Sequence, residues 1–555
     1  MRPPHGPVRV RARGTLTLIG LSALPLAVLT VFFLLPLGGM LARGLWPDGE
    51  LAPRAVLDVL SRPRVGRVVW FTAWSSAVAT AIAVAVGLPV AYVLYRLRFR
   101  GRAVLRAAVL VPFVMPTVVV GVAFRQLLRD GGPLGALGLD HTPVAVIAGL
   151  VFFNVAVVVR TVGAAWEGLD SRPAEAAAAL GATPWQVFRT VTLPTLRPAV
   201  VAAASVVFLF CATAFGVVLI LGGVRYASVE TEIYLLTTVI RDLPGAAALS
   251  LVQLAAVTVL LVVAGRTRRV ADPTVTRHVA DPRRPGRADA PQLVVMTVFA
   301  AFLSAPIGAL VVQSLRVDGA WSLGHYRALG TTGSEGALVV PATQALANSL
   351  QTAIDATWIA LLLGLLVSIV VTRRSRSRTE RHVRSVLDAV FMLPLGVSAV
   401  TIGFGFLVTL GREPLDLRTW PLLVPIAQAL VALPLVVRTL VPVLQGIDDR
   451  QRQAAASLGA GPLRSLLVVD LPVMWRPTLA AAGFCFAISL GEFGATSFLT
   501  RADHPTLPVV IVRLLGRPGE GNYGMALAAS VVLAATTALV VLLVERLRVR
   551  SVGRW

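Results

Sequence analysis

The side chains able to do chemistry are few, and they stand apart. Six histidines are scattered singly through 555 residues, and Cys211 and Cys485 each lie within an apolar run. A transition-metal site needs three or four His, Cys or carboxylate ligands at regular spacing. Neither cysteine has such neighbours, so both read as small apolar fillers and no metal is expected. No GxxxxGK[ST] phosphate loop, HExxH helix or GxSxG elbow occurs. The acid that stands out is Glu492 in "SLGEFGA" at 489–495. An acid inside an apolar run is costly and faces protein or water. It fits either a gate or cation-lining group of a pathway, or a packing carboxylate bound to an arginine or the backbone. Asn154 in "VFFNVAV" poses the same choice, between lining a pathway and bonding a neighbouring helix.

These residues must be positioned by apolar helices. The chain is 56% hydrophobic and only 14% charged, outside the balance of a soluble domain. Twelve runs approach the roughly 20 residues that span a bilayer. They are 16–42, 68–96, 104–128, 143–164, 198–222, 246–264, 292–314, 345–372, 384–411, 420–444, 477–500 and 523–546. The runs are too long and too unalternating for barrel strands, so the expected fold is an all-α integral membrane protein.

A net charge of +23 would suggest nucleic acid in a soluble protein. Here every basic charge outside histidine is arginine, and the arginines gather in alternate loops. They stand at 96–106, at 373–384, in the linker 265–291 and in "ERLRVRSVGRW" at the C-terminus. Arg2, Arg9, Arg11 and Arg13 precede the first run. The positive-inside rule therefore puts both termini in the cytoplasm. Arg62, Arg64 and Arg67 depart from it, on the expected outer side. The first run follows a basic start but is too long for a signal-peptide core, so an uncleaved anchor is expected.

The runs fall into two matched sets. Residues 158–194 match residues 278 later at 17 of 37 positions, and "VLVPFVMPTVVVGVAF" at 109–124 answers "FMLPLGVSAVTIGFGF" at 391–406. The expected domains are 1–264 and 292–555, joined by a cytoplasmic linker at 265–291. Six spans per half give the halves the same orientation, a parallel repeat about an axis along the membrane normal. A large secondary transporter and a fused two-subunit permease both fit that repeat.

After the fourth span of each half comes a small-residue block, "EAAAAL" at 175–180 and "QAAASL" at 453–458. Alanine, leucine and glutamate favour a helix. Gly181 or Gly459 then stops it at a turn that a side chain would crowd. A second short helix is predicted from Pro184 or Pro462, closing at "VTLP" 191–194 or "VDLP" 469–472. Two equivalent short helices facing the cytoplasm suit docking to a partner with twofold symmetry.

This pattern resembles the cytoplasmic loop of permeases in bacterial binding-protein-dependent ABC importers. Glu175, Ala176, Ala177, Gly181, Val191, Leu193 and Pro194 match it; so do Ala454, Ala455, Gly459, Val469, Leu471 and Pro472, with Gln453 in place of glutamate. The resemblance implies a transport subunit, not an enzyme, coupled to two copies of a cytoplasmic ABC ATPase that use ATP and magnesium. It implies an extracytoplasmic solute-binding protein as the other partner, and no cofactor bound by this chain. A single chain with two permease halves looks like the thiamine and ferric-iron branches. Residues 484–516 and "ASVETEIYLL" at 227–236 resemble the thiamine permease more closely. Ferric iron is the runner-up, and an ion-coupled secondary transporter is the rival class.

Overall fold

Apolar side chains drive these segments out of water, and the backbone then has to satisfy its polar groups within each segment. The result is helical almost throughout. The computed structural model describes residues 20–46, 53–267, 282–372, 378–411 and 416–549. The N-terminal arginines, the arginines at 373–376, most of the linker and the C-terminal tail lie outside the described residues.

The first half contains α1 (Gly20–Leu45), α2 (Pro63–Arg96), α3 (Arg102–Val114), α4 (Thr117–Leu128), α5 (Pro143–Glu167), α6 (Arg172–Ala179) and α7 (Pro184–Ala212). It ends with α8 (Gly216–Gly222), α9 (Val229–Leu235) and α10 (Leu243–Thr267). The second half repeats the order: α11 (Ala290–Ser314), α12 (Ala342–Thr372), α13 (Arg378–Met392), α14 (Ala399–Thr409), α15 (Leu423–Gln445), α16 (Asp449–Ser457) and α17 (462–491). It closes with α18 (Thr496–Leu499), α19 (Leu507–Leu515) and α20 (Glu520–Val549).

Ten helices among the described residues are long and apolar enough to cross a membrane, and α3 with α4 forms an eleventh, bent by 101°. Expected spans three and nine are thus broken. Pro116 disfavours a helical conformation at Met115, which is extended (φ −62°, ψ 139°). In the second half a tight turn at Leu393–Gly396 precedes Ser398, whose hydroxyl accepts the Thr401 N–H at 3.0 Å and starts α14. Expected spans five and eleven are also shorter than their apolar runs. They stop at Ala212 and Gly491, and the short helices α8 and α18 follow.

The two halves pack alike. Helix α2 lies along α5 and α12 lies along α15. A methyl group on Gly87 would come within 2.7 Å of Val158, and one on Gly364 within 2.5 Å of Val436. Small residues thus let each pair of helices approach closely. The first helix of each half crosses to the other half. Helix α1 packs on α14, and α11 packs on α4. Phe302 of α11 meets Phe124 and Phe152, with ring centroids 5.8 and 6.0 Å apart.

Candidate functional site: twin exposed helices and an axial aromatic contact

The repeated loops form the same object twice. Asp448 caps α16 by accepting the N–H of Arg450 at 2.9 Å, and Asp170, one residue before the first residue flanking α6, likewise accepts the N–H of Arg172 at 3.0 Å. At the end of α6, Ala182 N–H donates to Ala177 O at 3.1 Å and Gly181 N–H donates to Ala178 O at 3.0 Å. At the end of α16, Ala460 donates to Ala455 at 2.9 Å and Gly459 to Ala456 at 3.0 Å. This bond pair needs a residue in the left-handed region, and φ is +88° at Gly181 and +82° at Gly459. The expectation of crowding is corrected here. Nothing lies within 4 Å of where a Cβ would stand at either position, so backbone conformation alone requires glycine.

Both helices are bare. Neither buries a residue, and Leu180 and Leu458 are 89% and 87% exposed. Glu175, Ala176, Gln453 and Ala454 are also exposed, while Ala177 and Ala455 are half-buried. The segment after each turn does not close at "VTLP" or "VDLP". It passes through one wide turn, Phe188–Thr192 or Leu466–Asp470, and continues as the long helix. That turn has i→i+5 bonding, and it makes room for the proline rings of Pro194 and Pro472. Leu193 and Leu471 therefore sit inside α7 and α17.

The two short helices are anchored differently. In the first half α6 packs against the wide turn Phe188–Thr192, where Trp166 of α5 and Trp185 of α7 both stack on Phe188, with centroids 6.3 and 5.6 Å apart. In the second, Arg452 of α16 reaches Asp470 at 2.9 Å, Asp449 at 3.1 Å and the Leu444 carbonyl at 3.2 Å.

The far ends of α7 and α17 meet at the centre. Each helix is about 40 Å long at 1.5 Å per residue, and three residues beyond α7 stands Phe215. Its ring stacks on Phe493, with centroids 5.1 Å apart and planes 8° apart. These two are equivalents in the repeat, 278 residues apart like the loops. The next residue fixes each ring. A methyl on Gly216 would meet Thr117 Oγ1 at 2.6 Å, and one on Gly494 would meet the Ala399 methyl at 2.9 Å, so the two segments pack closely on the starts of α4 and α14.

Glu492 precedes that second phenylalanine and is buried. Its carboxylate accepts the N–H of Ala495 at 2.8 Å and that of Thr496 at 3.0 Å, together with the Thr496 hydroxyl. It lies at the end of α17 and caps α18, rather than within a straight span. Asn154 stands elsewhere, on α5, where Nδ2 donates to the Leu150 carbonyl at 2.9 Å and to Cys211 Sγ at 3.3 Å. The sequence reading missed Phe215, Phe493 and Glu230. The shared "FG" at 215–216 and 493–494 was the available signal for the rings. Glu230 of α9 is fully buried, takes a bond from Ser398 Oγ of the other half at 3.0 Å, and is also bonded by Gln253 Nε2.

A cavity of about 700 Å³ lies between α3 and α5 of the first half and α17 and α20 of the second. Arg106 and Glu167, 3.3 Å apart, line it at the end near the short helices. Met115, next to Pro116, lines its other end, and Pro116 in turn packs on Gly491.

Duplicated helical halves, a cavity between them and twin exposed helices define a two-domain membrane permease. The chain belongs to the family of binding-protein-dependent transport system inner membrane components, whose model matches residues 83–277 and again 360–552. It is thus an ABC importer permease. It is similar to the thiamine transport system permease protein ThiP of Brucella suis biovar 1, strain 1330. The two are 28% identical over 430 residues, covering 75% of this chain and 76% of that protein. The Escherichia coli K12 protein of the same name is 26% identical over 428 residues, covering 75% and 77%. A probable ABC transporter permease, y4fN of Sinorhizobium fredii, is 26% identical over 571 residues, covering 97% and 96%.

Proposed function

We propose that this permease imports thiamine, delivered by an extracytoplasmic binding protein, and that two copies of a cytoplasmic ABC ATPase drive it. ATP and magnesium belong to those ATPases, and this chain has no nucleotide chemistry of its own. The observation that carries the reading is the pair of equivalent exposed helices, each ending in a left-handed glycine with an almost fully exposed leucine beside it. A leucine so exposed suits a partner surface, and two copies of the feature suit two copies of one partner. The thiamine assignment is supported by the names of the relatives.

Helix α7 joins one short helix to Phe215, and α17 joins the other to the chain at Phe493. Closure of the ATPases moves both short helices, and these two long helices carry the movement to the centre. ATP binding then biases the bundle between two states, which is what alternating access requires. The arginine-rich loops and both termini face the cytoplasm in this reading.

Co-purification of the tagged chain with the ATPase tests it. Two ATPases per chain are expected in native mass measurements, and Leu180→Asp with Leu458→Asp should release them. Retention of both ATPases by that folded variant would contradict the docking role.

A further inference from the structure

Two residues related by a twofold axis can touch each other only on that axis. Phe215 and Phe493 are equivalents in the repeat, so their stack lies on the line along which the halves meet. Tyr234 and Phe498 extend the aromatic cluster. Tyr234 contacts Phe215 with centroids 5.3 Å apart and Phe498 of the other half at 5.6 Å, edge to face.

Two buried acids flank these rings, one from each half. Glu492 adjoins Phe493 in the chain, and Glu230 lies one helical turn before Tyr234. Among the described residues, Glu230 is bonded only to Gln253 and Ser398, and Glu492 only to backbone N–H groups and Thr496. Neither has a cationic partner among the described residues, in contrast to Glu232, which holds Arg64. A second shortage of donors sits beside them. Gln253, which bonds Glu230, leaves Oε1 buried and unpaired, and so does Gln428, which donates to Thr496 Oγ1 at 3.1 Å. Acids without counterions are costly inside a membrane and mark ion paths.

We propose that the Phe215–Phe493 stack is the closed gate of the pathway, and that Glu230 and Glu492 make the opened passage selective for a flat organic cation. Parted rings present their faces to a cationic ring, and the acids and amide oxygens supply the missing negative partner. An anionic ring of similar size meets the same acids as repulsion. The inference rests on the importer reading for its physiological meaning, but its test runs without ATPase or binding protein.

Liposomes holding the purified full chain are loaded with radiolabelled thiamine or with nicotinate, a ring anion. Phe215→Ala with Phe493→Ala should raise thiamine efflux at least about tenfold over the unaltered chain, and should pass thiamine about tenfold faster than nicotinate, because Glu230 and Glu492 remain in place to attract the cation and repel the anion. Adding Glu230→Gln should bring the two solutes toward equal rates. Unchanged thiamine efflux overturns the gate, and equal efflux of both solutes from the double variant overturns the cation preference. A second arm covers misfolding of the alanine variant. Phe215→Cys with Phe493→Cys, in a chain with Cys211→Ala and Cys485→Ala, should be joined by a short bifunctional thiol reagent. The two halves then migrate together after cutting at a protease site placed in the linker. Separate halves from a folded sample overturn the stack. Failure of the unaltered complex to import thiamine on ATP would count against the importer reading alone.

Discussion

Arg64 grips Glu232 with two parallel hydrogen bonds, Nε to Oε1 at 2.6 Å and Nη2 to Oε2 at 2.9 Å, across 168 residues of chain. Arg62 reaches Asp242 at 2.6 Å in the same region. Two of the three arginines at the start of α2, which depart from the charge rule, are therefore neutralised by acids, one in α9 and one just before α10. Removing Arg64 leaves Glu232 buried without its cation. With Arg64 itself 40% exposed, Arg64→Ala should cost about 2 kcal/mol, below the full cost of breaking a buried pair. Thermal unfolding in detergent measures this. Arg64→Ala with Glu232→Gln should recover part of the loss, and a single variant as stable as the unaltered chain would show that the pair contributes nothing.

At Gly181 and Gly459 the space is open and only the positive φ is demanding. Valine there costs about 1–2 kcal/mol or more in the left-handed region, whereas asparagine tolerates it. Gly459→Val should therefore cripple uptake and weaken ATPase co-purification while leaving the membrane bundle folded, and Gly459→Asn should retain most of both. Gly181→Val should behave the same way, and the two valine effects should not add. Gln453→Glu should be tolerated, since it restores the first half's residue. Normal uptake by both valine variants would remove the docking role of the turns.

The unlike anchors of the two short helices predict unlike sensitivities. Asp470→Asn removes the buried carboxylate that Arg452 grips, and it should loosen α16 while leaving α6 untouched. Protease or hydrogen-exchange protection across 449–460 should fall, with protection across 172–182 unchanged. Equal change in both segments would mean that Asp470 serves the bundle as a whole.

Topology has its own check. A reporter fused within 265–291 should read cytoplasmic and one near residue 330 should read external. The same side for both would break the two-repeat arrangement in the membrane.

Much of this was legible from residue order. Apolar runs locate the long helices because hydrocarbon leaves the backbone no other choice, and the offset of 278 exposes the duplication. Gly181 and Gly459 announce their turns because so few residues accept positive φ. The breaks at Met115 and Ser398 were hidden, since hydropathy is blind to a local change of backbone direction. Pro194 and Pro472 look like terminators, yet a wide turn ahead of each lets the helix continue. Glu230 gave no signal, because it is buried by the fold and bonded by Ser398, a residue 168 positions away in the other half.

The most direct measurement is thiamine uptake into liposomes containing this chain, two equivalents of the ATPase and the binding protein. Accumulation should require ATP on the ATPase side, stop when ATP is replaced by a non-hydrolysable analogue, and persist when ion gradients are collapsed. Accumulation that follows an imposed proton or sodium gradient and ignores ATP would contradict the account.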